Sequence, residues 1–253
     1  MKFRTHSRLA YLKRARHRGG HGIHSPFLFR LITSVVEDKR RIPEYRLFKR
    51  LKNRALNLLD EITDPSLDEA YELFSLAPGN PKQFYKKVEL PLRYSTVVFR
   101  LIRDFKPAAI LNYGPTLGIN PAVMATSNKE SQVCLVVNDQ LSELFCNKLF
   151  KDFPNPNIRF SSDDAVKLEN SGFIVINYPF NPDLSGEIVH RHLTRNGDDD
   201  VLIIRGIHES QEMEDLWLEL IANVNVRVSL DLFEIGIALF RKGLQKENFV
   251  LKY

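Results

Sequence analysis

Residues 108–125 read "AAILNYGPTLGINPAVMA". An apolar run opens the stretch, two glycines four residues apart (Gly114 and Gly118) interrupt it, and a second apolar stretch follows. That order predicts a buried strand, a tight turn and a helix. Glycine lets the backbone approach a neighbour or a ligand closely, and a helix start presents N–H groups without intrahelical partners. The spacing alone does not separate a ligand-holding turn from a bare strand–helix corner, so the surrounding sequence has to decide.

Downstream, strand-like runs at 108–113, 133–138, 157–160, 172–177 and 200–205 alternate with helix-like segments at 118–127, 139–152, 183–194 and 210–222. This alternation predicts an α/β fold with a parallel sheet and helices on both faces. The runs "VRVSLDLF" (226–233) and "IGIALFRK" (235–242) lie too close for a crossover helix and must pair as an antiparallel hairpin.

Upstream, "RYSTVVFRLIRDFKP" (93–107) is a helix ended by Pro107. "YRLFKRLKNRALNLLDEI" (45–62) is amphipathic, with Leu47, Leu51, Leu58 and Leu59 on its apolar side. "PFLFRLITSVVED" (26–38) starts well for a helix, with Ser25 as N-cap and Pro26 in the first turn; Leu28, Leu31, Ile32, Val35 and Val36 follow at helical spacing. Four prolines and a Gly-Asn between 63 and 91 mark short helices, loops and the expected boundary. The chain thus divides into a basic helical region, 1–92, and an α/β domain, 93–253.

Of the 253 residues 43% are apolar and 26% charged, enough for a core of ordinary size. There is no apolar run of membrane-spanning length and no secretory-type leader, which points to a cytoplasmic protein. Cys134 and Cys146 form no CxxC pair and are expected as free thiols. Residues 1–54 hold 16 Lys/Arg against 3 Asp/Glu, whereas the rest hold 20 against 28. Such a basic head either docks on the acidic body or faces nucleic acid or an anionic membrane. Its aromatics (Phe3, Tyr11, Phe27, Phe29, Tyr45, Phe48) interleave with arginines, as on nucleic-acid surfaces, but several sit at core-helical spacing, so nucleic acid is not the favoured partner.

The glycine-turn segment "FKPAAILNYGPTLGINPAVMA" resembles the first motif of class I S-adenosylmethionine-dependent methyltransferases, in their O-methyltransferase-like branch. "GHGIHSPFLFRLI" (20–32) and "VSLDLFEIGIALFRKGLQKENFVLKY" (228–253) resemble a group of such proteins from Bacteroidetes-type bacteria. The resemblance implies a Rossmann-like methyltransferase sheet and S-adenosylmethionine as cofactor, held at Asn112, Tyr113, Gly114, Thr116 and Gly118. It also implies a small-molecule or macromolecular methyl acceptor that the sequence does not identify.

Four positions depart from the family's pattern or test it. Asn112 stands where the family usually has Glu or Asp to orient the methionine end of the cofactor. The acidic residue expected on the ribose hydroxyls falls at Val137 in the best register, with Asn138 or Asp139 serving on a slip; Asp139 also reads as a helix cap. Within "RFSSDDAVKL" (159–168), Asp163 and Asp164 match the adenine contact and read equally as a cap. Asn177, where the branch has a metal-ligating Asp, also falls in the cofactor region, and Arg205 and Gly206 stand in place of an acidic pair. A hard cation prefers carboxylate oxygens, so no metal is expected. The leading expectation is a methyltransferase-like protein with a weakened cofactor site. A catalytically silent binding or scaffold protein is the alternative, and an RNA-associated protein the third reading.

His208, just after the strand-like run 200–205, is the candidate general base, with a surface-loop histidine as the plainer reading. His21 and His24 in "HGIHS" lack a third zinc ligand nearby and are expected in a structural or pocket-lining role; the resemblance adds a lid over the cofactor. His190 and His192 flank Arg191 on a helix and are expected to face solvent. GxSxG, Walker and HExxH motifs are absent from the sequence.

Overall fold

Every strand-like run forms a strand. The computed structural model describes residues 2–17, 19–62, 81–137, 140–153, 157–161, 172–178, 182–194 and 197–253. The amino-terminal part contains α1 (Lys2–Arg14), α2 (Pro26–Arg30), a π-helical turn (Leu31–Val36), α3 (Tyr45–Ile62), α4 (Pro81–Val88) and α5 (Leu92–Phe105). The alternating part follows as β1 (Ala109–Tyr113), α6 (Ile119–Ser127), β2 (Gln132–Val136), α7 (Gln140–Asp152), β3 (Ile158–Ser161), β4 (Phe173–Ile176), α8 (Pro182–Leu193), β5 (Val201–Arg205) and α9 (Gln211–Ala222). Three strands close the chain: β6 (Val228–Asp231), β7 (Ile235–Leu239) and β8 (Glu247–Val250).

The sheet runs in the order β3-β2-β1-β4-β5-β7-β6-β8. Strands β3, β2, β1, β4 and β5 are parallel, and β7 pairs antiparallel with both β5 and β6. The reversal of strand order between β2-β1 and β4-β5 opens the crevice where α/β sheets take ligands. The hairpin is as expected but its strands are shorter, because Phe233 turns the chain in the left-handed region at φ 71° while Leu232 N–H bonds Ile235 O at 3.0 Å. β8, which the sequence pattern did not reveal, lies parallel to β6 at the sheet's edge. Of its four residues only Phe249 is buried, too weak a periodicity to read.

The period of two sorts the strands' side chains into two cores. Ile110, Val133, Leu135, Phe173, Val175, Val201 and Ile203 meet α5 and the Leu28–Val36 segment on one face. Leu111, Tyr113, Ile174, Ile176, Leu202 and Ile204 meet α8 and α9 on the other. All five apolar residues expected on the Leu28–Val36 face are buried, and Ser25 Oγ accepts from Leu28 N–H as the N-cap. In α3 the buried residue of the first turn is Phe48; Leu47 is only partly buried.

His192 corrects a sequence expectation. It is buried, with its ring edge-on to Phe240 at 4.9 Å and its Nε2 3.6 Å from Asp200, because it shares the inward stripe of α8 with Ile188 and Val189. His190 on the opposite side is exposed, as expected.

α1 carries no apolar stripe of ordinary width. Its docked side is Arg4, Ser7, Tyr11 and Ala15. Arg4 pairs with Glu209 and Glu234, Ser7 Oγ donates to Glu214 at 3.1 Å, and Tyr11 OH donates to Leu251 O. The basic head therefore docks, in part, on acidic residues of the body.

Candidate functional site

The carboxyl ends of β1, β4 and β5 bring Tyr113, Ile176 and Arg205 to one edge of the sheet, and the glycine turn rises from it. Gly114 and Gly118 both adopt positive φ, 91° and 86°, which an L side chain rarely takes. Gly118 serves a packing purpose as well. A Cβ there would lie 3.1 Å from Leu149 Cδ2 and 3.2 Å from Cys146 Sγ, so the missing side chain lets α6 start hard against α7.

The N–H groups of the turn are taken up by the chain itself. Gly114 N–H donates to Val136 O at 3.1 Å and Thr116 N–H to Ser142 Oγ at 3.0 Å. Gly118 N–H donates to Thr116 Oγ1 at 3.0 Å. Glu89, from the link between α4 and α5, takes three more donors of the cluster. Its Oε1 accepts from Leu117 N–H at 2.6 Å and from Thr116 Oγ1 at 2.8 Å, and its Oε2 accepts from Asn120 N–H at 3.2 Å. Glu89 is only 1% exposed. Burial pushes its carboxyl above the ordinary carboxylate range, while Thr116, the backbone donors and the nearby Arg205 charge pull it back.

Arg205 holds that link in place. Its guanidinium, at the end of β5, donates to Tyr178 O (3.0 Å), Lys86 O (3.0 Å) and Glu89 O (2.9 Å). Burial depresses its pKa to about 10, with Glu89 and Glu234 acting in the other direction. A cation thus stands where the family pattern has an acidic pair, and it braces backbone rather than a metal ion. Among the described residues, no group of three or more His, Cys, Asp or Glu is arranged to hold a metal.

Asn112 and Asn177 come together at the ends of β1 and β4, as the sequence placed them. Asn177 Nδ2 donates to Asn112 Oδ1 at 3.1 Å. Both residues are essentially inaccessible, at 0% and 1% exposure, and the remaining amide atoms, Asn112 Nδ2 and Asn177 Oδ1, have no partner among the described residues. Tyr113, whose O accepts from Asn177 N–H at 2.8 Å, is buried, as are Gly114, Thr116 and Gly118. Val137 is buried and apolar at the position expected to grip a ribose. Asn138, Asp139, Asp163 and Asp164 lie outside the described residues.

His208 lies beneath α1. Its Nε2 is 2.9 Å from Asp231 Oδ2, its ring stacks on Phe233 at 5.3 Å, and its Nδ1 is 3.6 Å from Glu214. At 2% exposure it is roofed by α1, with Tyr11 6.2 Å away, ring to ring. His21 and His24 are exposed, and the described residues include no helix long and apolar enough to cross a membrane.

Glu89 and the engagement of Arg205 were not anticipated. The available signal was a single acidic residue between Val88 and Leu90, immediately before Pro91. An isolated carboxylate in an apolar stretch asks for a buried partner, but the Pro-rich surroundings made the segment read as loop.

No family model matches the sequence, and no curated protein matches it. Solved structures do share its architecture. An SAH-bound methyltransferase from Podospora anserina superposes with a TM-score of 0.53 at 10% identity, over 81% of this chain and 99% of that one. An O-methyltransferase from Streptomyces achromogenes in complex with SAM gives 0.53 at 10% identity, over 74% and 89%. An O-methyltransferase from Bacillus cereus in complex with SAH gives 0.51 at 12% identity, over 72% and 97%. With the strand order, the reversed hairpin and the glycine turn, these likenesses establish that the chain has the Rossmann-like fold of the methyltransferases.

Proposed function

We propose that the chain is a catalytically silent methyltransferase-fold protein that works as a binding or scaffold protein, related to the group its terminal motifs resemble. The observation that supports this most directly is the Asn112–Asn177 pair. The one oxygen Asn112 has to offer is engaged by Asn177, and the atom left over is an N–H donor. To a ligand ammonium the pair offers neutral amide oxygens, Asn112 Oδ1 and the unengaged Asn177 Oδ1, in place of a carboxylate. A charged hydrogen bond there would be worth about 1.5–3 kcal/mol, roughly a factor of ten or more in affinity. The Val137 side chain offers a ribose nothing to bond to, so at both positions the described residues lack the carboxylate that would favour S-adenosylmethionine.

Isothermal titration of the full chain with S-adenosylmethionine and with its demethylated product tests the reading. The expected result is no saturable heat up to about 1 mM ligand, a concentration that detects binding energies of roughly 4 kcal/mol. Micromolar binding would overturn the silent reading in favour of a weakened but working cofactor site. The basic head gives the RNA reading little support: Tyr11 and Phe48 are buried and Phe27 packs on Phe105, so those rings are not available for stacking.

A further inference from the structure

α6 spans nine residues and begins at Gly118, which has no side chain with which to cap it. The start of such a helix carries partial positive charge and unpaired N–H groups, and it favours an anion. Here a carboxylate is seated on it. Glu89, reaching from 27 to 31 positions upstream, covers Leu117 N–H, Asn120 N–H and Thr116 Oγ1 with both oxygens and is almost wholly buried. The cluster holds one donor more than Glu89 satisfies. Asn120, 2% exposed, receives Ser95 Oγ on its Oδ1 at 2.9 Å, and its Nδ2 has no partner among the described residues.

We propose that the start of α6 is a carboxylate-binding site and that Glu89 is its tethered occupant. The inference deepens the silent reading above, because a site filled by the chain's own side chain is closed to a free ligand. Tethering gives Glu89 a high effective concentration, so a small carboxylate in solution competes poorly while the link stays docked. Arg205 is the positioning residue, since it grips Lys86 O and Glu89 O and so keeps the carboxylate aimed at the turn. The ligand class is a small carboxylate, for which formate and acetate are the probes.

The test is chemical rescue. Glu89→Ala and the unchanged chain are melted in sodium formate, sodium acetate and sodium chloride at matched ionic strength. Glu89→Ala is expected to melt several degrees below the unchanged chain in chloride. It should regain most of that loss, saturably, in formate and in part in the bulkier acetate, while the unchanged chain shows no such preference. Equal melting of the variant in formate and chloride overturns the proposal. If Glu89→Ala does not fold, Glu89→Gln carries the test by hydrogen exchange. Its amide nitrogen faces Asn120 N–H in place of an acceptor, so protection at Asn120 should fall about tenfold or more, the loss of one hydrogen bond. Unchanged protection there overturns the proposal. Binding of S-adenosylmethionine by the unchanged chain would sink the silent reading alone and leave the formate result to stand or fall separately.

Discussion

Asn177 and Asn112 join the carboxyl ends of β4 and β1 through two neutral side chains, Nδ2 to Oδ1 at 3.1 Å. The pair is buried. Asn112→Asp keeps the acceptor that Asn177 needs but adds a charge in that setting. Burial would raise the new carboxyl's pKa in the folded state, so its contribution to stability is lost as the pH rises through that value. Urea unfolding should show the variant near the unchanged chain at pH 5 and about 1–3 kcal/mol weaker at pH 8. Equal losses at both pH values would mean that the new carboxyl ionises in the fold as freely as in the unfolded chain.

Glu89 itself makes stability depend on pH. Its carboxyl is raised by burial, so the folded chain holds a proton that the unfolded chain releases near the ordinary value of about 4.3. The corresponding stability is complete below that value and declines as the pH climbs through the raised one. Glu89→Gln lacks this term. The stability difference, variant minus unchanged, should therefore grow more positive from pH 4 upward in a series of denaturant melts. A flat difference would show that Glu89 ionises in the fold as freely as in the unfolded chain.

Arg205 is expected to be among the costliest side chains to remove. Arg205→Met leaves the carbonyls of Tyr178, Lys86 and Glu89 without their donor and Glu89 without a nearby cation. The loss should be at least about 3 kcal/mol by chemical denaturation. Arg205→Lys keeps a charge but not the planar fork that spans three carbonyls, and should recover only part of it. Full stability in the lysine variant would reduce the role of Arg205 to its charge.

Gly236 sits beneath the protein's single tryptophan. A Cβ at this position would approach Trp217 Cζ3 to 2.6 Å. Gly236→Ala should therefore push Trp217 outward and cost about 1–3 kcal/mol as overpacking. The emission of that one indole reports the displacement directly: a red shift in the folded state is expected, and an unshifted spectrum with unchanged stability would show that the ring moves aside freely.

The central strands β4 and β5 were legible because each is an unbroken apolar run closed by a polar or glycine stop, as at "VLIIRG". Helices α3 and α5 declared themselves through a wide apolar stripe. α1 did not, because it is held by Arg4, Ser7 and Tyr11 reaching distant residues, and a long-range ion pair has no local signature. β8 was hidden because only Phe249 of its four residues is buried, which leaves no alternation to read. At the candidate site, the sequence located the positions that meet: Asn112, Gly114, Gly118 and Asn177. It did not show what fills them. Glu89 lies some thirty residues from the turn it bonds, and pattern reading across that distance sees only a stray acid before a proline. His208 was placed correctly along the chain, but the helix that covers it comes from the opposite end of the sequence.

The helix α1 is anchored by residues more than two hundred positions downstream. Tyr11 donates to Leu251 O, His17 O accepts from Lys252 N–H at 3.1 Å, and Tyr253 OH reaches Arg93 O at 3.2 Å. A chain emerging from the ribosome therefore presents its arginine-rich head long before the clasp for it exists. That head stays undocked until residues 247–253 have followed it, so its docking closes a contact between segments far apart in sequence, the slowest kind to form.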